Sequence, residues 1–357
     1  MVQKIALFNN KGGVGKTTIT FNLGWMLASK GKRVILVDAD TTCNLTEIVL
    51  GADTEEEQSE LESFYLLPAN IKTALAPAFE SQPRAIEAVD CMPVEGQERL
   101  FLLPGHVGLA EYEAILGMAQ ELNRSVQSLR NLPGAITDLL NKTASKFQAD
   151  YILIDMGPSL SSINQNLLMT SDFFMVPIVA NFFSRMGIGS LSTVLPKWAA
   201  WSKKASIIPA FREAVYPYPD IRPRFLGATV QNQNYHFRKS KVAAVKLERE
   251  VTKIENQVSE QLFPVLEKSE MALPRQIYQE NGVDDSFCLA KIPDFKNLIA
   301  LSYEYSTPVY NLTQQQLQQA GRSLEDVQDK QAEFRQTFEE LADKIIGLTS
   351  SVYAVSA

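Results

Sequence analysis

Asn10-Lys11-Gly12-Gly13-Val14-Gly15-Lys16-Thr17-Thr18 is the stretch on which the fold turns. It follows a short apolar run, Ile5 to Phe8, and opens a helical pattern over Thr17 to Ser29 that carries Phe21, Leu23, Trp25, Met26 and Leu27. Gly31 closes that helix, and Val34 to Val37 form a second apolar run ending on Asp38. Short unbroken apolar runs read as strands buried on both faces. Strand, helix and strand joined by so short a crossover imply a parallel pair in a right-handed unit. Glycines at 12, 13 and 15 let the backbone aim successive N–H groups at phosphate oxygens, and the following helix adds its positive end. Gly12, Gly13, Val14, Gly15, Lys16, Thr17 and Thr18 therefore read as a nucleotide phosphate-binding loop. Lys16 would reach the β- and γ-phosphates and the Thr17 hydroxyl would ligate Mg²⁺.

Outward from this loop the alternation continues. Leu100 to Leu103 reads as a strand, and 109–146 as two helices broken at Pro133-Gly134. Tyr151 to Ile154 is a strand ending on Asp155, followed by a helix near 161–169 and strands at Phe173 to Val179 and Phe225 to Val230. The segment 323–348 is helical. The expected fold is α/β, a doubly wound, mostly parallel sheet flanked by helices. Two stretches depart from the rhythm: 51–98, which opens on Asp53, Glu55, Glu56, Glu57, Glu60 and Glu62, and 203–224, which holds Pro209, Pro217, Pro219 and Pro223. Both are expected as insertions in one domain spanning 1–357, the acidic run being a solvated face.

Composition narrows the classes. Of 357 residues, 45% are hydrophobic, enough for a substantial core. The 34 Lys+Arg against 41 Asp+Glu give a net charge of −7, which argues against a surface built wholly to clamp a polyanion and still allows a local basic patch. Cys43, Cys91 and Cys288 are too few and too scattered for a disulfide framework or a zinc cluster. No run approaches about 18 apolar residues. A cytoplasmic protein is expected.

The glycine loop departs from the ordinary phosphate loop in a specific way. Asn10 stands where that loop has its first glycine, and Lys11 is an additional lysine. The pattern resembles the deviant Walker A motif, KGGxGK[ST], of the ParA/MinD-like partition ATPases. In that family two subunits pack with their nucleotides face to face. The resemblance implies a homodimer with ATP in which Lys11 crosses to the partner's phosphates. Asp38-Ala39-Asp40 and Asn44 match the family's DxDPQxN, with Thr41-Thr42-Cys43 in place of Pro-Gln-Gly. By resemblance Asp40 positions the attacking water and Asp38 contacts magnesium-bound water. Cys43 beside them reads either as a redox-sensitive thiol or as a buried inert one. Tyr151-Ile152-Leu153-Ile154-Asp155 has the Walker B form, with Asp155 holding magnesium through water, although Met156-Gly157-Pro158 follows where the family has D-x-P-P. Asn232 resembles the adenine-contacting asparagine, and Ile292-Pro293-Asp294 the later base-contacting turn, which places Pro293 and Asp294 at the nucleotide. Asn141-Lys142-Thr143-Ala144 lacks the acid of a guanine-binding sequence, which favours ATP.

Family members divide by what the ATP-bound dimer holds. Here the segment after Asn232 runs His236-Phe237-Arg238-Lys239-Ser240-Lys241 and continues through Lys246, Arg249 and Lys253, opposed by Glu248 and Glu250. Arg238, Lys239, Lys241, Lys246 and Arg249 are the candidate contacts to non-specific DNA, doubled in a dimer. A membrane switch fits less well: the stripe Phe334, Phe338, Leu341, Ile345, Leu348 is flanked by Glu333, Glu339, Glu340 and Asp343, which anionic lipid would repel. The isolated cysteines do not suit the iron–sulfur branch. The expectation is a ParA-like Mg²⁺-dependent ATPase whose dimer binds DNA and positions a plasmid, chromosomal or other cargo, with a partner protein stimulating hydrolysis. The alternative is a nucleotide-switched regulatory module that binds proteins and not DNA.

Overall fold

A computed structural model describes residues 2–51, 69–121, 127–231, 241–293, 296–320 and 324–354. Its centre is an eight-stranded sheet in the order β3-β4-β2-β5-β1-β6-β7-β8. The strands are β1 (Gln3–Leu7), β2 (Val34–Ala39), β3 (Met92–Val94), β4 (Gln97–Leu103), β5 (Tyr151–Met156), β6 (Phe173–Val179), β7 (Arg224–Gln231) and β8 (Cys288–Ile292). Every pairing is parallel except that of β3 with β4 at one edge. All residues of β2, β5 and β6 are buried, as strands covered by helices on both faces must be.

The principal helices are α1 (Lys16–Ser29), α2 (Asn44–Leu50), α3 (Ile71–Phe79), α4 (Glu113–Glu121), α5 (Leu132–Phe147), α6 (Ser162–Met169), α7 (Phe182–Ala205), α8 (Lys241–Gln257), α9 (Lys296–Glu304) and α10 (Leu324–Ala354). β1 lies between β5 and β6, and the chain reaches β2 by passing over β5. Such a reversal opens a crevice at the carboxyl ends of the strands, and the glycine loop leaves β1 into it. Register sets the crevice floor, because Asp155 at the end of β5 is opposite Leu7 of β1 and Asp38 of β2.

One expectation is corrected. Pro133-Gly134 does not break a helix. Both belong to the first turn of α5, where proline's missing N–H costs nothing. Gly134 is required for another reason. A Cβ there would lie 2.1 Å from the Tyr216 carbonyl oxygen, so the glycine admits the backbone of 216–217. The proline-rich segment is thus seated on the sheet's helical layer, with the Ile86 amide donating to Tyr216 Oη at 2.9 Å and the Val215 amide to Asn131 Oδ1 at 3.0 Å. At the other end, Phe334, Phe338, Leu341, Ile345 and Leu348 of α10 are fully buried, and the helix packs on α1 and β8. The acidic run 53–62 lies outside the described residues.

Candidate nucleotide site

The glycine loop surrounds a cavity of about 790 Å³ walled by residues of the loop itself, by Asp40 and Thr42, by Glu47 and Ile48 of α2, by Pro158, by Gln231 and by Tyr303 of α9. Gly15 is the helix cap of α1 at φ 85°, a conformation open to glycine, and a Cβ there would sit 2.4 Å from Gln231 Oε1. A side chain at this position would strain the loop backbone and push Gln231 out of the wall. Gly12, Gly13, Val14, Gly15, Lys16, Thr17 and Thr18 all line the cavity, as the spacing predicts.

Lys16 is buried, its ammonium 3.4 Å from the Lys11 carbonyl oxygen. Burial lowers its pKa, and the charges of Asp155 and Asp40 oppose that shift. Both carboxylate oxygens of Asp155 are buried without a hydrogen-bond partner among the described residues. Burial pushes this acid up to about 8, Asp38 adds repulsion, and Thr17 and Lys16 offset the rise only in part. A buried, partnerless carboxylate beside a hydroxyl is the donor set a hard divalent cation takes. Thr17 and Asp155 thus fit Mg²⁺.

The two other aspartates are placed differently. Asp40 reaches the cavity wall, and its Oδ1 accepts the Thr42 amide at 3.0 Å. Asp38 is fully buried behind it. One oxygen accepts from the Asp40 amide at 3.2 Å, and the other from the Thr46 amide and hydroxyl at 2.8 and 2.7 Å. Burial raises Asp38 to about 6 despite these bonds. Asp38 therefore fixes the start of α2 and lends its charge to the cluster around Asp155. Cys43, between Asp40 and α2, turns the chain at φ 55°, with its thiol buried.

Lys11 does not point at the cavity floor. Its ammonium donates to Asn181 Oδ1 at 2.8 Å and to Ser184 Oγ at 3.1 Å, at the first turn of α7. Around it Phe182, Phe183 and Met186 are 57%, 70% and 62% exposed.

Base recognition is only partly visible. Asn232 and Asp294 lie outside the described residues, and Pro293 is buried at the end of β8. The residue before Asn232, Gln231, forms the wall, and Tyr303 joins it by a 2.5 Å hydrogen bond to Thr18 Oγ1. Neither Gln231, Thr46 nor Tyr303 carries a spacing signal in the sequence. The guanine-type stretch is structural: Lys142 donates to the Ile86 carbonyl and Asn141 accepts the Lys4 ammonium. Of the candidate DNA contacts, Lys241 opens α8, Lys246 and Arg249 are exposed on it, and Arg238 and Lys239 lie outside the described residues. Lys253 is paired with Glu250 at 2.6 Å. No helix among the described residues is long and apolar enough to cross a membrane.

A sequence profile described as an AAA domain matches residues 2–205, more than half of the chain. The sporulation initiation inhibitor protein Soj of Bacillus subtilis is 31% identical over 187 residues, 52% of this chain and 62% of Soj. The chromosome partitioning protein ParA of Caulobacter vibrioides is 28% identical over 193 residues, 54% of this chain and 62% of ParA. The match thus spans about three fifths of these relatives' length. Among solved structures, protein DIP2308 of Corynebacterium diphtheriae superposes with a TM-score of 0.60 at 21% identity, covering 97% of this chain and 98% of that one. A Borrelia burgdorferi protein assigned to plasmid partition and bound to AMPPNP gives 0.50 at 16% identity, covering 92% and 98%. These two likenesses speak to the fold. With the profile match and the Lys11–Lys16 glycine loop seated at the sheet's reversal, the chain belongs to the ParA/MinD-like family of P-loop proteins.

Proposed function

We propose that this chain is an ATP-driven switch, a Mg²⁺-dependent ATPase that forms a nucleotide-sandwich homodimer, grips DNA without reading its sequence and positions or partitions a cargo. A partner protein would stimulate slow hydrolysis and so release the dimer. One observation carries the reading: Lys16, Thr17 and the partnerless Asp155 carboxylate meet beneath one glycine loop that also carries Lys11. In this scheme the loop amides and Lys16 hold the phosphates. Thr17 and Asp155 hold Mg²⁺, with Asp38 adding charge nearby. When bound, the ion neutralises phosphate oxygens. Asp40, on the cavity wall, orients the attacking water. Lys11 acts on the partner's nucleotide, and Asn232, Pro293 and Asp294 contact the base. Arg238, Lys239, Lys241, Lys246 and Arg249 supply the DNA grip. The chain 1–357 would work as one enlarged switch domain in the cytoplasm, on the nucleoid when DNA is held. The regions near 51–98 and 203–224 are its insertions and 323–348 its terminal helical segment.

The test has two parts. Purified chain should release phosphate from ATP with Mg²⁺ and stop with chelator. It should also retain DNA only with ATP, with retention falling steeply as salt rises. DNA retention that ignores nucleotide would sink the switch. A second reading, a nucleotide-switched module for proteins without DNA binding, is favoured by the exposed Phe182, Phe183 and Met186 beside Lys11. An ATP-dependent dimer that leaves DNA untouched at low salt would select it.

A further inference from the structure

Between Asp155 and α6 the chain runs through 156–161 with no regular structure after Met156, and Pro158, Ser159 and Leu160 are exposed. This segment nevertheless forms the wall between the phosphate loop and Asp40. A Cβ on Gly157 would lie 3.5 Å from Asp40 Oδ1, and one on Gly12 would lie 3.8 Å from the Pro158 ring. An exposed segment without ladder hydrogen bonds belongs to the low-stability end of a structure. Something must hold this one in register with the two groups it faces.

The holder is Asn164, in the first turn of α6 and 2% exposed. Its side-chain amide donates to the Gly157 carbonyl at 2.8 Å, to the Ser159 carbonyl at 2.8 Å and to Ser159 Oγ at 3.1 Å. One NH₂ group thereby spans three acceptors across the segment. The helix that carries it is anchored in turn. The Glu113 carboxylate accepts from the Ser162 amide, from Ser162 Oγ at 2.9 Å and from the Ile163 amide at 3.4 Å, which satisfies N–H groups a helix start leaves free. Asn166, on the same helix and also buried, sends its side-chain amide the other way, to the Pro133 carbonyl at 2.9 Å.

We infer that Asn164 is a positioning residue for ATP hydrolysis, its amide holding the Gly157–Ser159 backbone against Asp40 and the glycine loop. This rests on the ATPase reading above. A reacting group displaced by an ångström loses roughly 100-fold in rate while binding is spared. Asn164 acts through the segment, so its loss should appear in turnover at saturating ATP and hardly in nucleotide affinity.

The pair Asn164→Ala and Asn166→Ala separates this from plain stabilisation of α6, because each removes one buried amide from the same helix. Asn164→Ala should lower kcat by about 10- to 100-fold with KM within about threefold of the parent, while Asn166→Ala keeps kcat within about twofold. Asn164→Asp, which keeps the size and removes the donors, should match Asn164→Ala and guards against a variant that does not fold. Amide exchange over 157–160, measured without nucleotide, should accelerate in the Asn164 variants alone. Equal losses of kcat in the Asn164 and Asn166 variants would overturn the inference. Unchanged exchange over 157–160 in Asn164→Ala would overturn it without reference to hydrolysis, so its failure is distinct from failure of the ATPase reading.

Discussion

The Lys11 ammonium donates to Asn181 Oδ1 at 2.8 Å, and that same oxygen accepts the Ser184 amide at 3.0 Å as the cap of α7. The lysine assigned to the partner's nucleotide is parked on its own chain, at the positive end of a helix, where a cation is disfavoured. Burial also lowers its pKa. The parking place is uncharged, which suits the proposed transfer of Lys11 to a partner's nucleotide.

Asn181→Asp should therefore hold Lys11 back. Aspartate caps helices as well as asparagine does, so the fold is preserved, while the bond to the ammonium becomes charge-assisted. That difference is worth roughly 1 kcal/mol or somewhat more, so about tenfold more ATP should be needed to form the dimer. Sedimentation across an ATP titration reads this directly, with nucleotide binding to the monomer as the control. Lys11→Ala should lose dimer-dependent hydrolysis altogether. An Asn181→Asp chain that dimerises like the parent would make the contact incidental.

The carboxylate cluster predicts an unusual dependence of stability on pH. Burial raises Asp38 from 3.8 to about 6 and Asp155 from 3.8 to about 8. The nucleotide-free fold therefore holds more protons than the unfolded chain across that interval. The stabilisation is complete below the ordinary carboxylate pKa and is lost as pH rises through 6 and then 8. Melting temperature without Mg²⁺ should fall between about pH 4 and 8, and Mg²⁺ with ATP should offset the fall. Asp155→Asn should flatten the upper part of the curve and raise the melting temperature at pH 7.5 by about 2 °C or more. A flat profile in the parent would show that Asp155 is not held as a buried, uncompensated acid.

Asp40 separates binding from turnover. It is the aspartate of the three that reaches the cavity wall, and its backbone amide is tied to Asp38. Asp40→Ala should keep ATP and the ATP-dependent dimer while turnover falls about 100-fold or more. Single-turnover phosphate release beside equilibrium nucleotide binding gives the comparison. Normal turnover would remove Asp40 from the water-orienting role.

What the sequence discloses follows from how local each feature is. Val34 to Val37 and Tyr151 to Ile154 are legible because strands buried on both faces leave unbroken apolar runs. The glycine loop is legible because its chemistry is carried by consecutive residues. β3 is not, being three residues long, containing Pro93 and lying half exposed at an edge. Nor is α7, where Gly187, Gly189 and Pro196 interrupt the helical pattern and tertiary packing decides. Pro133-Gly134 misleads because close approach by 216–217, not a helix break, requires the glycine. The rest of the site is long-range: 285 positions separate Thr18 from Tyr303, and 170 separate Lys11 from Asn181. No periodicity announces a contact at that separation.

The net charge of −7 makes the DNA reading quantitative. With an acidic excess overall, any grip on a polyanion must be local, and on α8 the exposed cations are few. Lys253 is already paired with Glu250, which also faces Arg185 at 3.6 Å, so Lys246 and Arg249 are the exposed candidates on the described part of that helix. Each phosphate contact contributes about 0.9 to the slope of log affinity against log salt. Lys246→Glu with Arg249→Glu should therefore lower the slope by about 2 per subunit, or about 4 for an ATP-bound dimer, and weaken binding equally across unrelated sequences. ATP hydrolysis without DNA should be unchanged, since both residues lie on a helix whose residues do not line the cavity. Filter retention of two duplexes of different sequence over a salt series measures slope and specificity together. A double variant with the parent's slope would move the grip off α8, and a slope that falls for one sequence alone would mean that bases, not phosphates, are being read.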